Sequence, residues 1–278
     1  MKLLLFVLLP AITTAFLSCN APTKDEAVTT TSATWEFEDV PAWADEFDYE
    51  GKPDPNRWGY DTGGNGWGNN ELEYYTDSIR NARVANGLLT ITARREPTQG
   101  NEYSSARLVS KGKGDFLYGR IEAKAKLPSG RGTWPAIWML PTENAYSGWP
   151  KSGEIDIMEH VGYDQDRVHI TVHTEAYNHV LKTQVGQDTL IDNASTSFNR
   201  YRIDWTPDYI QGFINDALVF DFPNEETGPA AWPFDQKFHL LLNIAVGGNW
   251  GGLRGVDNNV FPAEMQVDYV RVYPLRKG

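Results

Sequence analysis

The sequence predicts an all-β protein built as a two-sheet sandwich, and three observations support this prediction. Apolar and polar residues alternate along several short segments, turn-forming pairs separate these segments, and no segment keeps a helical period over about 12 residues. The pattern of strands and turns continues for about 240 residues without an internal repeat. One large sandwich therefore accounts for the chain better than a series of small modules.

The composition describes a large acidic chain with many aromatic side chains. Its 278 residues are 41% hydrophobic and 22% charged, which suits one large globular domain or two small ones. The net charge of −12 excludes a nucleic-acid partner, because such proteins need a basic surface. Ten Trp, 13 Tyr and 12 Phe can fill a core and still leave rings to line a groove.

Residues 1–19 form a predicted export signal. Lys2 precedes the apolar run Leu3–Leu9, which is too short to span a membrane. Cys19 ends the segment "FLSC", which resembles a bacterial lipobox although Phe16 replaces the usual Leu. This resemblance implies cleavage before Cys19 and lipidation of that residue, and the alternative is ordinary secretion with an incidental cysteine.

The rest of the chain divides into a linker and one folded domain. Residues 20–34 are polar and rich in Thr, which predicts a flexible tether, and residues 35–278 form the predicted folded domain. Cys19 is the only cysteine, so an internal disulfide is excluded. We expect an exported monomer, either an outer-membrane lipoprotein of a bacterium, held by its lipid alone, or a secreted protein.

Each strand is predicted from a local pattern. Residues 120–127 alternate between polar and apolar side chains, as expected of a strand with one wet face. Asn86-Gly87 lies between two apolar runs, which is a strong hairpin signal. Further predicted strands lie between such turn signals: three in 201–222, with turns at 206–208 and 215–216, one in 237–248 and one in 265–273.

The segment Gly153–Gly162, "GEIDIMEHVG", places three acidic residues within six positions. On a strand, Glu154 and Asp156 share a face, whereas Glu159 is one residue out of phase. A β-bulge at Ile157-Met158 would place two residues in one pleat position and return Glu159 to the same face. Bulges are common beside active sites, where they redirect side chains.

The acid strand has two alternative interpretations. The first is a wet strand face, but no Lys or Arg lies between Glu154 and Glu159 to offset the repulsion. The second is a calcium site, but rigid strand spacing is poor for wrapping six or more oxygens around an ion. Catalysis explains the cluster better, because clustered carboxylates raise at least one pKa and titrate together.

A protonated acid beside an ionised one is the requirement of glycoside hydrolysis. A retaining enzyme needs its two carboxyl groups about 5–5.5 Å apart, and an inverting enzyme needs roughly 6.5–9.5 Å. The residues alone do not choose between these two outcomes.

The acid strand resembles the active-site signature of glycoside hydrolase family 16 in its bulged E-x-D-x-x-E form. With "GTWPAIWMLP" before it, "TVHT" after it and "NIAVGGNWGG" downstream, the chain is most similar to bacterial laminarinases, which are endo-β-1,3-glucanases. The resemblance extends from about Trp43 to Tyr273. It implies a β-jelly-roll of two antiparallel sheets with a concave substrate cleft and retention of anomeric configuration.

The resemblance also implies a role for each acid. Glu154 would be the nucleophile, Glu159 the general acid and then base, and Asp156 the residue that hydrogen-bonds Glu154 and holds the charge state of the pair. The implied mechanism needs no cofactor, and the implied partner is a polysaccharide, β-1,3-glucan.

Four Trp residues are candidate sugar platforms, because pyranose C–H faces stack on indole rings. Trp134 and Trp138 are four apart and share a strand face, with core packing as the alternative for Trp138. Trp149 lies near Gly and Pro, and Trp250 lies in the "GGNWGG" loop at the expected rim of the cleft. Long Gly- and Trp-rich loops are typical places for a binding surface.

Three polar residues match substrate-binding positions of the family. Asn70 in "GNNELEYYT" and Arg107 in "SARLVSKG" match positions that hydrogen-bond sugar hydroxyls or orient the nucleophile. His173 in "VHT" matches the family residue beside the acid/base. His169, Thr171 and His173 share one strand face, and a structural role is the alternative for each histidine.

Many family members hold one structural calcium ion on the convex face. The matching positions are Glu46, the backbone carbonyl of Gly87, and Asp268. Three such ligands with waters are compatible with calcium, and an exposed strand acid is the alternative for Asp268.

These residues are compatible with several polysaccharide substrates. Relatives cleave mixed-linkage glucan, agar, carrageenan or porphyran, but the loops near the acids carry few Lys or Arg, which favours a neutral glucan. A glucan-binding protein without activity is a rival class, although a binding module gains nothing from clustered like charges. Transglycosylation is compatible with the same residues.

Overall fold

The computed structural model describes residues 35–276, which lie in one compact unit, Trp35–Gly278. The predicted signal (1–19), the tether (20–34) and Cys19 lie outside the described residues. The described chain consists of strands and loops with one short 3-10 helix, Asn258–Val260. The strands are β1 (Trp43–Asp45), β2 (Gly59–Asp61), β3 (Glu73–Tyr75), β4 (Ala82–Ala85), β5 (Leu88–Ala93), β6 (Tyr103–Ser105), β7 (Arg107–Val109), β8 (Asp115–Phe116), β9 (Gly119–Lys126), β10 (Thr133–Pro141), β11 (Glu154–His160), β12 (Arg167–His173), β13 (Val185–Leu190), β14 (Asn199–Trp205), β15 (Tyr209–Ile214), β16 (Ala217–Pro223), β17 (Phe238–Val246) and β18 (Ala263–Tyr273).

The strands form two eight-stranded antiparallel sheets, which confirms the predicted all-β sandwich. The outer sheet has the order β16-β15-β14-β9-β18-β5-β4, with β1 also paired to β18. The cleft sheet has the order β13-β12-β11-β10-β17-β7-β2, with β8 also paired to β17. A small parallel pair, β3 and β6, lies beside them. Within residues 35–276, no helix is long and apolar enough to cross a bilayer.

All three predicted turns are confirmed, including the turn at 206–208, which joins β14 to β15. Asn86 and Gly87 join β4 to β5 with φ of 55° and 76°, the left-handed values that a tight two-residue turn requires. Asn215 and Asp216 join β15 to β16 with φ of 49° and 71°. The short polar side chains of Asn and Asp tolerate these values.

The apolar core lies between the two sheets and is closely packed. Ile170 of β12 is buried against Gly212 of β15, where an added Cβ would lie only 2.8 Å from the Ile170 Cδ1. On the central strand β17 every residue is buried, because one face meets the core and the other lies beneath the cleft. Its pairing with β10 and β7 brings distant segments of the chain to the cleft.

Strand β11 contains the predicted bulge. Asp156 pairs with Thr171 and Glu159 pairs with His169, so Ile157 and Met158 together oppose the single residue between those partners. Both bulged side chains are fully buried in the core. The hydrophobic effect therefore holds the extra residue in place, and Glu159 returns to the face that Glu154 and Asp156 share.

Truncating Ile170 tests how much the sheet-to-sheet packing contributes. We expect Ile170→Ala to lower the free energy of unfolding by about 2–5 kcal/mol, since it removes a fully buried side chain from a close-packed core. Leu190→Ala, at an exposed position of the neighbouring strand β13, should cost about 0.5 kcal/mol or less. Urea unfolding of both variants measures the difference, and equal losses would contradict this packing.

Candidate active site

Glu154, Asp156 and Glu159 face one cavity on the cleft sheet, as the bulge requires. The cavity is enclosed by side chains from four strands and one loop. Its lining residues are Trp67, Asn69, Glu71, Arg107, Trp134, Ala136, Trp138, Glu154, Asp156, Glu159, Asn243 and Ala245.

Burial dominates the electrostatics of the three acids. It raises the pKa of both Glu154 and Glu159 to about 7. The pKa of Asp156, whose exposed fraction is only 2%, is raised well above its usual range by burial and then by the neighbouring charges of Glu154 and Glu159. Proton-bearing and ionised carboxyl groups therefore coexist in this cavity near neutral pH.

Asp156 is the member of the cluster that keeps its proton. Its Oδ2 atom is buried and accepts no hydrogen bond from residues 35–276. A proton on Asp156 removes this unpaired acceptor, because the carboxyl group can then donate to Glu154, to which it is hydrogen-bonded. That hydrogen bond favours the ionised form of Glu154.

Glu154 and Glu159 have different surroundings, although burial raises the pKa of both to about 7. The ionised form of Glu154 is favoured by Trp149, the Arg107 guanidinium and Asp156. Glu159 has one such partner, Trp134, whose indole N–H donates to Oε1 at 3.0 Å, and the charge of Glu154 raises its pKa further. These contacts favour the charge on Glu154 and the proton on Glu159.

The antiparallel register corrects the predicted neighbour of His173. His173 pairs with Glu154 and its Nε2 lies 3.5 Å from Asp156 Oδ2, so it lies beside the predicted nucleophile rather than the acid/base. His169 takes the position opposite Glu159. Burial lowers the pKa of His173 to about 4, so its imidazole is neutral beside the acids.

Arg107 is held between two indole rings at the floor of the cavity. Its guanidinium carbon lies 4.7 Å from the ring centroid of Trp67 and 4.8 Å from that of Trp138. Its Nε lies 3.1 Å from a carboxylate oxygen of Asp61. Trp138 thus lies in the cleft and not in the core.

A hydrogen-bonded chain continues from Trp138 beneath the cavity. The Trp138 indole donates to Asn243 Oδ1 at 2.7 Å, and the Asn243 amide donates to the Tyr75 hydroxyl at 3.0 Å. That hydroxyl donates to Glu71 Oε2 at 3.1 Å. Glu71 and its neighbour Glu73 are buried acids on the segment that leads into β3.

The cleft extends in two directions from the acids. On the Glu154 side a cavity of about 350 Å³ is bounded by Trp67, Trp138, Trp149 and His179. On the Glu159 side another of about 370 Å³ is bounded by Trp134, Trp250, His169 and Thr171. All four predicted aromatic platforms therefore line the cleft, with the exposed fraction of Trp149 at 40%.

Asn70 occupies a different position from the one predicted. Its side chain is exposed and donates to Asn249 Oδ1 at 2.7 Å, which ties two loops together at the rim. The preceding residue, Asn69, lines the cavity instead. Asn70 has a φ of 55°, and this left-handed turn points successive side chains in different directions.

The predicted calcium ligands do not fit that role in their present contacts. Both carboxylate oxygens of Glu46 accept hydrogen bonds from Arg271 at 2.7 Å. Asp268 lies 2.8 Å from the ammonium group of Lys124. Ligands of calcium would need these lone pairs free for the ion.

Among residues 35–276, the one group of three His, Cys, Asp or Glu ligand atoms within 4.8 Å of one another is Glu154, Asp156 and His173. This group lies on the face of the three acids. Calcium at Glu46, Gly87 and Asp268 stays a prediction.

Sequence reasoning missed several residues that line or support the cleft. Trp67, Asn69, Asn243 and His179 line its cavities, and Glu71 and Glu73 support its floor. Asn243 gave a signal, since it is a polar residue within the otherwise apolar run of β17. Trp67, Asn69 and Glu71 lie in a Gly- and Trp-rich loop, the kind of segment predicted to carry a binding surface, whereas the positions of Glu73 and His179 depend on long-range pairing.

The fold and the three-acid face define a glycoside hydrolase. Residues 66–271 match the family model described as "Glycosyl hydrolases family 16", and the chain belongs to that family.

A curated protein and a solved structure from Rhodothermus marinus are similar to this chain along most of their length. A beta-glucanase is 59% identical over 247 residues, which cover 86% of this chain and 85% of that protein. The X-ray structure of a laminarinase has a TM-score of 0.85 at 56% identity, and covers 88% of this chain and 100% of that one.

A further solved structure contains sugar. It is a mutant of SCLam, a non-specific endo-beta-1,3(4)-glucanase co-crystallized with 1,3-beta-D-cellotriosyl-glucose. Its TM-score is 0.82 at 43% identity, and it covers 88% of this chain and 96% of that one.

The buried charge of Glu154 has a cost in stability that a neutral substitute removes. A carboxyl whose pKa is raised by folding destabilises the protein as pH rises from its unfolded value toward its folded value. We therefore expect Glu154→Gln to stabilise the protein above pH 7, on the order of 1–3 kcal/mol, and to lose this gain below pH 4.5.

Denaturant unfolding across this pH range measures the effect. Glu225→Gln is the matched control, because Glu225 is exposed and accepts a hydrogen bond only from Tyr177 among the described residues. A gain that does not depend on pH would contradict the buried ionised state of Glu154.

Proposed function

We propose that this chain is a retaining endo-hydrolase of β-1,3-glucan that acts by double displacement. The observation that carries the proposal is the bulged acid face, on which three neighbouring groups favour the charge of Glu154, whereas burial and the charge of Glu154 favour the proton of Glu159. Family membership and the laminarinase likeness support the same chemistry.

In the first step, the Glu154 carboxylate attacks the anomeric carbon and forms an ester with the sugar. The glycosidic C–O bond breaks with its electron pair on the leaving oxygen, which takes the proton of Glu159. The Trp134 indole N–H stabilises the carboxylate that forms on Glu159. The Asp156 proton, donated to Glu154, remains in place and orients the nucleophile.

In the second step, Glu159 is ionised and acts as a base toward water. It takes one proton of the water, whose oxygen attacks the anomeric carbon, and the ester bond to Glu154 breaks with its electron pair on the carboxylate. Two displacements restore the original configuration. Two carboxyl groups thus supply the whole reaction, without a catalytic cofactor.

The cleft favours an uncharged polysaccharide. Arg107 is the one Lys or Arg that lines the three cavities around the acids, and Asp61 and two indole rings already engage it. A sulfated glycan would need additional cations there. Indole rings on both sides of the acids suit the C–H faces of successive glucose units, and the Asn69 amide lines the same cavity.

Mixed-linkage β-glucan is the second candidate substrate, and the likeness to a non-specific endo-beta-1,3(4)-glucanase favours it. A sulfated marine galactan is weaker because the cleft lacks additional cations, and a glucan-binding protein without activity is weaker because it leaves the acid face unexplained. Transglycosylation would use the same intermediate, with a sugar hydroxyl replacing water.

Product analysis tests the proposal. The domain from Trp35 to Gly278 should release a ladder of short oligosaccharides from laminarin, with retained configuration in the first products. Glu154→Gln should lose at least about 10³-fold in kcat, because the nucleophile is gone. Mixed-linkage glucan, agarose, carrageenan and xylan complete the panel, and release from agarose or carrageenan alone would overturn the substrate. The absence of release from all of them would overturn the hydrolase.

A structural calcium ion is not part of this proposal. It would require Glu46 and Asp268 to leave Arg271 and Lys124, and their released charges would then face the same site.

We also propose that the protein is exported as a monomer and held on a membrane by a lipid on Cys19. Support comes from the "FLSC" segment and the polar tether that follows it. Such an anchor is attached to one leaflet and does not span the bilayer.

Fractionation tests the anchor. In a bacterial host, the full chain should sediment with membranes and release into detergent, whereas Cys19→Ala should move to the soluble exported fraction with unchanged specific activity. Ser18→Ala, which alters the neighbour of the cysteine, is the control and should stay with membranes. Equal distribution of the wild type and Cys19→Ala would contradict lipidation.

A further inference from the structure

Two buried acids take no part in the mechanism above. Glu71 and Glu73 are two residues apart and are 9% and 0% exposed, respectively. Both lie on the segment entering β3, and Glu71 lines the same cavity as the three catalytic acids. Buried carboxyl groups without a basic partner in direct contact need another source of stabilisation.

The contacts of Glu73 indicate that it carries a proton. Its Oε2 accepts the Val246 backbone N–H at 2.6 Å, while its buried Oε1 accepts no hydrogen bond from the described residues. Protonated, Glu73 donates to Glu71, to which it is hydrogen-bonded, and no acceptor remains unpaired. Burial raises the pKa of both acids, and the charge of Glu71 raises that of Glu73 further.

Glu71 then holds the single negative charge of the pair. Its ionised form is favoured by hydrogen bonds from Glu73, Tyr75 and Asn69 and by the positive charge of Arg107. The other titratable groups that share its cavity are Glu154, Asp156 and Glu159. Arg107 therefore serves three carboxylates, Asp61 by an ion pair at 3.1 Å and Glu71 and Glu154 through its positive charge.

Tyr75 links this charge to the rings that hold Arg107. Its hydroxyl donates to Glu71 and accepts from Asn243, which in turn fixes the Trp138 indole. Its ring packs edge-on against Trp67, with centroids 5.4 Å apart. Trp67 and Trp138 are the two rings on either side of the Arg107 guanidinium. We call Trp67 and Trp138 the aromatic clamp of Arg107. Tyr75 packs against the first ring and is linked to the second through Asn243.

We propose that Glu71 and Glu73 are positioning residues that share one proton, so that a single charge on Glu71 balances Arg107 and anchors its aromatic clamp beside Glu154. The pair acts through Arg107 and not on the sugar. This inference rests on the proposed function, since Glu154 is its target.

The pair can be tested first without any substrate. Infrared spectra at neutral pH should show one protonated carboxyl band in the wild type that Glu73→Gln lacks. The bands of Asp156 and Glu159 are common to both proteins and cancel in the difference. A difference spectrum without this band would mean that Glu73 is ionised, and it would overturn the proton-sharing pair. This readout stands even if no glycan is cleaved, a result that would overturn the proposed function alone.

The second test is the acidic limb of kcat/KM against pH, which reports ionisation of Glu154 in the free enzyme. Glu71→Gln removes a negative charge near Arg107 and Glu154, so the limb should move to lower pH by about half a unit. Glu73→Gln keeps a neutral donor toward Glu71, so its limb should stay at the wild-type position. An unshifted limb in Glu71→Gln would overturn the positioning role, even if Glu73→Gln failed to fold.

Glu122→Gln is the matched control. Glu122 is also a buried acid that accepts from a tyrosine, Tyr269 at 2.7 Å, and faces an arginine, Arg200 at 3.4 Å, but it lies on the outer sheet. Loss of this arrangement should lower stability and leave the pH profile unchanged. A shift equal to that of Glu71→Gln would mean that the effect is general, and it would contradict the proposal.

Discussion

The β-bulge in β11 is the constraint on which the rest of the site depends. Two adjacent side chains, Ile157 and Met158, enter the core together, and this brings Glu159 onto the face of Glu154 and Asp156. Core packing thereby holds three carboxyl groups in one cavity, although their charged forms would repel one another. Packing on the apolar side of the sheet stabilises the arrangement, and repulsion between the acids on the polar side opposes it.

Protonation of some of these carboxyl groups reduces the repulsion between them. Asp156 donates to Glu154, and Arg107 favours the charge of Glu154 from the cavity floor. Glu71 and Glu73 repeat the same pattern of a charged acid with a protonated neighbour, on the other side of Arg107. The site is thus a set of carboxyl groups of similar chemistry, whose different roles follow from burial and from which groups donate to them.

Local patterns in the sequence were sufficient for part of this picture. The strands, the Asn86-Gly87 turn and the bulge each depend on neighbouring residues, and so each could be predicted. The partner of His173 could not, because it depends on how the bulge shifts the register between β11 and β12. The contact of Glu73 with Val246 joins residues 173 positions apart, which follows only from sheet order.

The central claim is that Glu154 is the nucleophile and Glu159 the acid/base on one bulged strand. A 2-fluoro laminaribioside with a good leaving group slows the second displacement and traps the ester, and mass spectrometry of peptides then locates the label. The account predicts one sugar on Glu154. A label on Glu159 or Asp156 would contradict it.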